Sequence, residues 1–297
     1  RWILSKLNHT VQSVNRKLES YLFDQAALEA YDFFWKEFCA YYLEIVKPVL
    51  FGKTGSPADR KNKQKLLVII LSQAIRLLHP MAPFITEELF QFLKESFGNG
   101  QVHVSIDPYT EETIKALNCA ACMIAPYPQA RAQDINLSIE QTFELMEKAV
   151  YMIRNIRGEM KLPPGMSTDI HIVGEPEDQD YYTLRDHRHI ISALVKTNSI
   201  EMHYGNPIIG FSSAGMLNKI KIIIPLPNEL LKQEQSRLVK EKDRLALMIE
   251  KLHLQLSNAD FTTNAPPQLI EKNKMQLTQF ERELIEINQK LDTLSKL

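Results

Sequence analysis

Two arms of heptad-spaced apolar residues constrain this chain more than any other feature. Leu231, Leu238, Leu245 and Leu252 recur every seven residues, with Ile249 and Leu256 joining late in the arm. After an interruption, Ile270, Leu277, Leu284 and Leu291 hold one heptad position, and Phe280, Ile287 and Leu294 hold the other. A seven-residue repeat keeps one apolar stripe facing a partner helix over its whole length. Between the arms, Ser257-Asn258-Ala259-Asp260-Phe261-Thr262-Thr263-Asn264-Ala265-Pro266-Pro267 gathers turn formers and ends in prolines suited to a helix start. The pattern predicts an antiparallel coiled-coil hairpin over 228–297. Its charges balance, with eleven Lys and Arg against eleven Asp and Glu. Net charge therefore makes it no polyanion grip, although Lys240, Lys242, Arg244 and Lys251 can form a modest stripe.

Residues 1–122 read as a helical bundle. Ile3, Leu7, Val11, Val14, Leu18 and Tyr21 fall on one face at three- and four-residue steps. A second helix is expected from about Asp24 to Lys47, carrying Tyr31, Trp35, Phe38, Tyr42 and Ile45, with Pro48 as its stop. Ser56-Pro57-Ala58-Asp59 supplies an N-cap, a first-turn proline and an acidic third position for a third helix. A fourth helix carries Leu89, Phe90 and Leu93 after Pro83 and is expected to end near Gly98.

Residues 123–227 change character and read as a small α/β module. A helix from about Leu137 to Lys161 ends at Leu162-Pro163-Pro164-Gly165. Ile170 and Ile172 then alternate with Asp169 and His171, which is strand periodicity. Residues 178–196 look helical, 199–204 extended, and 219–224 a strong strand. The fold class expected is thus mainly α: a helical bundle, an α/β junction and a terminal coiled-coil hairpin.

Composition narrows the chemistry. Ten glycines in 297 residues disfavour glycine-rich phosphate loops, and neither Gly98-Asn99-Gly100 nor the Gly205–Gly210 spacing completes one. Three cysteines cannot build a disulfide framework in so long a chain, so a reducing, intracellular setting is expected. The longest charge-free apolar run, between Lys65 and Arg76, is too short for a bilayer. The chain opens Arg1-Trp2-Ile3-Leu4 in helical rhythm, without a methionine, a signal peptide or a helix start signal. This suggests a cut inside a longer protein.

Cys119-Ala120-Ala121-Cys122 has redox or half-zinc spacing, but no second pair completes four ligands. A structural role is the better account, and no metal ligand set is expected. His187-Arg188-His189 reads as a solvated helix face. Lys53, Arg60, Lys61, Lys63 and Lys65 stand against Asp59 alone, a local charge of five minus one, or +4. Arg154 and Arg157 are one helical turn apart and could grip phosphates, with Lys161 following.

Several stretches together resemble the C-terminal part of the bacterial valyl-tRNA synthetases, which are class I enzymes. Arg1-Trp2-Ile3-Leu4-Ser5-Lys6-Leu7-Asn8 is similar to the opening helix of that family's anticodon-binding bundle. Tyr31 to Cys39, Tyr42-Leu43-Glu44 and Lys47-Pro48 are similar to its second helix. Leu78 to Leu89 matches a segment shared by the valine, isoleucine and leucine enzymes. Ile153 to Met160 with Pro163-Pro164 resembles the following helix. The turn Leu256 to Phe261 with Ala265-Pro266 resembles that of the valine family's coiled coil. Three cysteines cannot supply the four-cysteine module that closes many isoleucine enzymes.

The resemblance implies a cytoplasmic, monomeric chain whose partner is a valine-accepting tRNA. It implies no membrane contact and a catalytic domain supplied in cis. The two ATP-site signatures of the family are absent from this sequence, so no catalytic residue and no cofactor are expected here; ATP with Mg²⁺ would serve the parent ligase. Expected RNA contacts are Arg1, Lys6 and Asn8 on the first helix, Arg154, Arg157 and Lys161 on the later one, and Arg237, Lys240 and Arg244 on the hairpin. Tyr31, Trp35, Phe38 and Tyr42 are expected mainly in the core. A coiled-coil interaction module without an RNA role, the equivalent part of an isoleucyl- or leucyl-type enzyme, and a cysteine-pair oxidoreductase are the alternatives.

Overall fold

The computed structural model describes residues 1–97, 107–205, 207–257 and 266–295. They divide into two compact units, Arg1–Arg154 with Glu177–Lys196, and Asn155–Pro176 with Thr197–Leu297.

The first unit is helical. It holds α1 (Trp2–Glu19), α2 (Phe23–Asp32), a π-helix (Phe33–Tyr42), α3 (Leu43–Leu50), α4 (Pro57–Leu78), α5 (Pro83–Phe97) and α6 (Pro108–Leu117). Most of α7 (Leu137–Glu159) follows, with α8 (Gln179–Asp186) and α9 (Arg188–Leu194). The α1 stripe Ile3, Leu7, Val11 and Val14 is fully buried and joins Ala26, Ala30, Phe33, Phe38, Tyr42, Val46, Ile70 and Leu77 in one core. A second cluster sets Ile75 of α4 against Phe90 and Leu93 of α5, Leu117 of α6 and Cys122. The expected start of α4 is present atom by atom: Ser56 accepts from the Asp59 N–H, and Asp59 accepts from the Ser56 N–H at 2.8 Å. The expected end of α5 near Gly98 lies outside the described residues.

The second helix departs from expectation in two ways. Pro48 sits inside α3 instead of ending the preceding helix. It removes one N–H only two residues before α3 finishes, so little of the ladder remains to be broken. Residues 33–42 wind as a π-helix, with the Leu43 N–H reaching back five residues to the Phe38 carbonyl. The i→i+5 register turns the chain fewer degrees per residue than an α-helix does. Tyr31 and Phe38, seven apart and coincident on a 3.6-residue turn, therefore part company. Phe34, Phe38 and Tyr42 run inward ring against ring, while Tyr31 and Trp35 point to solvent.

The second unit is built on a four-stranded mixed sheet in the order β2-β1-β4-β3. Its strands are β1 (Thr168–Gly174), β2 (Thr197–Tyr204), β3 (Ser212–Leu217) and β4 (Ile220–Pro225). β1 pairs parallel with β2 and antiparallel with β4, and β4 pairs antiparallel with β3. Ile170, Ile172, Ile222 and Ile224 are fully buried, as the alternation at 170–172 requires. β3 answers to no sequence expectation; its Ser-Ser-Ala-Gly stretch carries little strand propensity. The expected helix over 178–196 is broken at His187 into α8 and α9.

α10 (Asn228–Ser257) and α11 (Pro267–Ser295) complete this unit and pack together. Leu238, Leu245 and Ile287 are buried between them, with Phe280, Leu284 and Leu291 against the seam. Thirty residues of α10 extend about 45 Å, whereas the ten residue steps to α11 reach at most about 35 Å. Only an antiparallel pairing fits, and His253 near the end of α10 meets Glu281 at 3.5 Å. The turn at 258–265 lies outside the described residues. Asn273, at the heptad position of Phe280 and Ile287, is buried; a polar residue at such a position costs stability and fixes register.

Candidate nucleic-acid interface

An RNA-binding surface needs cations that are not already neutralised and flat apolar faces open to bases. The expected contact residues divide sharply on that criterion. Asn8 is buried; its amide donates to the Leu4 carbonyl and the Tyr109 hydroxyl, both at 2.7 Å, and its oxygen accepts from the Arg131 N–H. It ties α1 to the loop before α7. Arg157 is buried as well, donating to Thr168 Oγ1 at 2.9 Å and to the Met166 carbonyl at 2.6 Å. Asn8 and Arg157 thus hold the fold, because each found acceptors or donors inside the protein that sequence spacing cannot display.

Lys6 lies 3.6 Å from Glu37 of the π-helix. Glu140, Glu144 and Glu147 of α7 share that neighbourhood, so the surface around Lys6 is acidic. Burial pushes Glu147 up to about 7, helped by the nearby Glu37 carboxylate. Glu37 is also raised, first by burial, against the pull of Lys6. Arg154 is exposed and donates to the Leu194 carbonyl at 3.0 Å. Arg1 is exposed at the N-cap of α1. Lys161 is exposed with φ at +53°, and the bonds Lys161 N–H to Gly158 O and Leu162 N–H to Arg157 O close α7 as a Schellman turn.

Arg1, Arg154 and Lys161 thus remain open to solvent, and further open cations lie elsewhere. Lys53, Arg60 and Lys61 are exposed, Lys63 half-buried, and none makes an ion pair among the described residues. Lys65, the fifth member, bonds the Asp107 carboxylate and holds it well below the usual carboxylate range, together with Thr110. On α10, Arg237 pairs with Glu241 at 2.9 Å. Lys240 and Arg244 stand exposed on the same face without an ion pair among the described residues.

The flat apolar faces were the feature least visible in the sequence. The Tyr31 and Trp35 rings lie parallel within 9° at 6.4 Å, 52% and 58% exposed. Phe38 and Tyr42 are core, as expected, but Tyr31 and Trp35 are not. The π-helix causes the split, and no local sequence pattern announces it.

Cys119 and Cys122 are free thiols. Cys122 is buried, and burial with the Glu87 carboxylate pushes it up to about 11, so it holds its proton near neutral pH. That is the reverse of a redox-active pair. No helix among the described residues is long and apolar enough to cross a membrane.

Residues 1–172 match the family described as the anticodon-binding domain of tRNA ligase. The chain belongs to that family. Residues 231–295, the paired helices α10 and α11, match the valyl tRNA synthetase tRNA binding arm. The valine–tRNA ligase of Protochlamydia amoebophila is 58% identical over 294 residues, covering 99% of this chain and 31% of that protein. Those of Chlamydia felis and Chlamydia trachomatis serovar L2 are each 36% identical, again over 99% of this chain and 31% of their own length. The chain thus spans about a third of the length of the relatives it matches.

Proposed function

We propose that this chain binds a valine-accepting tRNA. Its helical segment 1–122 takes the anticodon stem-loop, segment 123–227 joins bundle to arm, and the coiled coil 228–297 braces the outer corner. The observation that carries the reading is the joint match of bundle and arm, in that order, in one chain. The Tyr31–Trp35 stack offers two ring faces for unpaired bases, and base–aromatic stacking contributes about 1–3 kcal/mol per base. Lys53, Arg60, Lys61, Arg154, Lys240 and Arg244 supply phosphate contacts.

As a working unit the chain acts within a cytoplasmic ligase whose adenylation and aminoacyl transfer use ATP with Mg²⁺ at residues outside this sequence. This chain alone needs no cofactor and catalyses no valine-dependent pyrophosphate exchange. A catalytic domain in cis is supported by the strip Phe84, Ile85, Leu89 and Phe92 on one side of α5, with Phe84 92% exposed.

The test is a salt titration of tRNA binding. Each phosphate contact contributes about 0.7–0.9 to the slope of log affinity against log salt. We expect a slope of several units for the parent chain, lowered by about 2.1–2.7 when Arg60, Lys61 and Arg244 become Gln. A flat salt dependence would contradict the reading and favour a protein-docking coiled coil.

A further inference from the structure

The parallel pairing of β1 with β2 brings together three side chains that lie about thirty residues apart in the sequence. His171 is directly opposite Glu201, and Val173 is opposite His203. Glu201 and His203, two residues apart on a strand, point to the same face as His171. The His171 Nδ1 and His203 Nε2 atoms are 2.9 Å apart. Glu201 Oε2 lies 3.4 Å from the first and 3.6 Å from the second. Three donor atoms of two types thus converge on one point.

We propose that His171, Glu201 and His203 bind a divalent transition-metal ion of the Zn²⁺ class. Zinc takes imidazole nitrogen at about 2.0–2.1 Å and carboxylate oxygen at about 2.0–2.2 Å in tetrahedral geometry, which sets neighbouring donors about 3.3–3.5 Å apart. The two nitrogen–oxygen separations already have that size. The two nitrogens need to part by about 0.4 Å, a small ring tilt. In the metal-free protein they share one proton, since one neutral ring must donate to the other. The ion replaces that proton as the shared partner. Imidazole with one carboxylate suits Zn²⁺ over Mg²⁺ or Ca²⁺, which prefer all-oxygen shells.

The site has an evident mechanical consequence. β2 is an edge strand of the sheet, and an ion held by His171 on β1 and by Glu201 and His203 on β2 fastens that edge to its neighbour. His171 and His203 are largely covered by their surroundings, whereas Glu201 is half-exposed. This leaves a fourth coordination position for water on the open side. Neither the CxxC spacing nor any local motif signals it, because the ligand set exists only once two distant strands are in register.

The experiment titrates the untagged full chain with Co²⁺ and follows its d–d absorption, then displaces the ion with Zn²⁺. The proposal expects an intense four-coordinate spectrum saturating at one ion per chain, without a thiolate charge-transfer band. That spectrum is lost in His203→Ala and in His171→Gln. Independently of any variant, Zn²⁺ at about 100 times its Kd raises the melting temperature of the parent by about 5 °C. Absence of both signals overturns the proposal and leaves a hydrogen-bonded imidazole pair. A spectrum unchanged in His203→Ala, or lost in Cys119→Ser, overturns it equally by placing the ion elsewhere.

Discussion

The Arg157 guanidinium donates to the Thr168 hydroxyl at 2.9 Å, and both side chains are buried. This bond crosses the turn between α7 and β1. Arg154, one helical turn earlier, carries the same charge at an exposed position. Replacing Arg157 by Ala strands the Thr168 hydroxyl and the Met166 carbonyl, and we expect a loss of about 2–3 kcal/mol in stability. The slope of tRNA affinity against salt should not move. Arg154→Ala should cost under about 1 kcal/mol and flatten that slope by about 0.7–0.9. Thermal melts beside salt titrations of the two single variants separate these outcomes; equal effects on the slope would return Arg157 to the RNA surface.

These two arginines show where sequence reading stops. The capping box Ser56–Asp59, the α1 stripe and the heptad stripes that meet at Leu238, Leu245 and Ile287 were legible because each shows itself in spacings of one or two turns along its own helix. The partners of Asn8 and Arg157 depend on the path of the chain after the helix, so their burial was not legible. The outward turn of Tyr31 and Trp35 follows from a change of helical register that composition does not mark. β3 was missed because its pairing with β4, not its own residues, makes it a strand.

Glu147 gives the first unit a pH dependence of definite sign. Its folded-state value of about 7 lies above the ordinary 4.5. The protonated form is therefore favoured by folding. The stability this contributes is complete below about pH 4.5 and lost as pH rises through about 7. Discounted for partial exposure, the effect is about 1–2 kcal/mol. Denaturant unfolding should show the parent less stable at pH 8 than at pH 5.5, and Glu147→Gln should remove most of that difference. A parent curve rising with pH over this window would refute the assignment.

Lys161 occupies a left-handed position, at φ +53°, that glycine fills without penalty. Lys161→Gly should stabilise the end of α7 by about 1 kcal/mol. It should also flatten the salt slope of tRNA binding by about 0.7–0.9 if the exposed ammonium meets a phosphate. A more stable variant with an unchanged slope would remove Lys161 from the contact surface while upholding the strain argument.

A bundle that reads the anticodon differs from one that merely holds a polyanion in its response to base identity. The direct measurement compares the affinity of this chain for a valine tRNA with that for the same tRNA carrying another anticodon, at one salt concentration. Phosphate contacts are identical in the two, so only base contacts can separate them. Hydrogen bonds to the edges of the splayed-out bases, worth about 1–3 kcal/mol of discrimination per base, predict a preference of about 5- to 150-fold for the valine anticodon, whereas Trp35→Ala removes stacking that every base can make and lowers the affinity for both tRNAs. Equal affinity for both tRNAs, or affinities for both untouched by Trp35→Ala, would contradict this reading of the bundle.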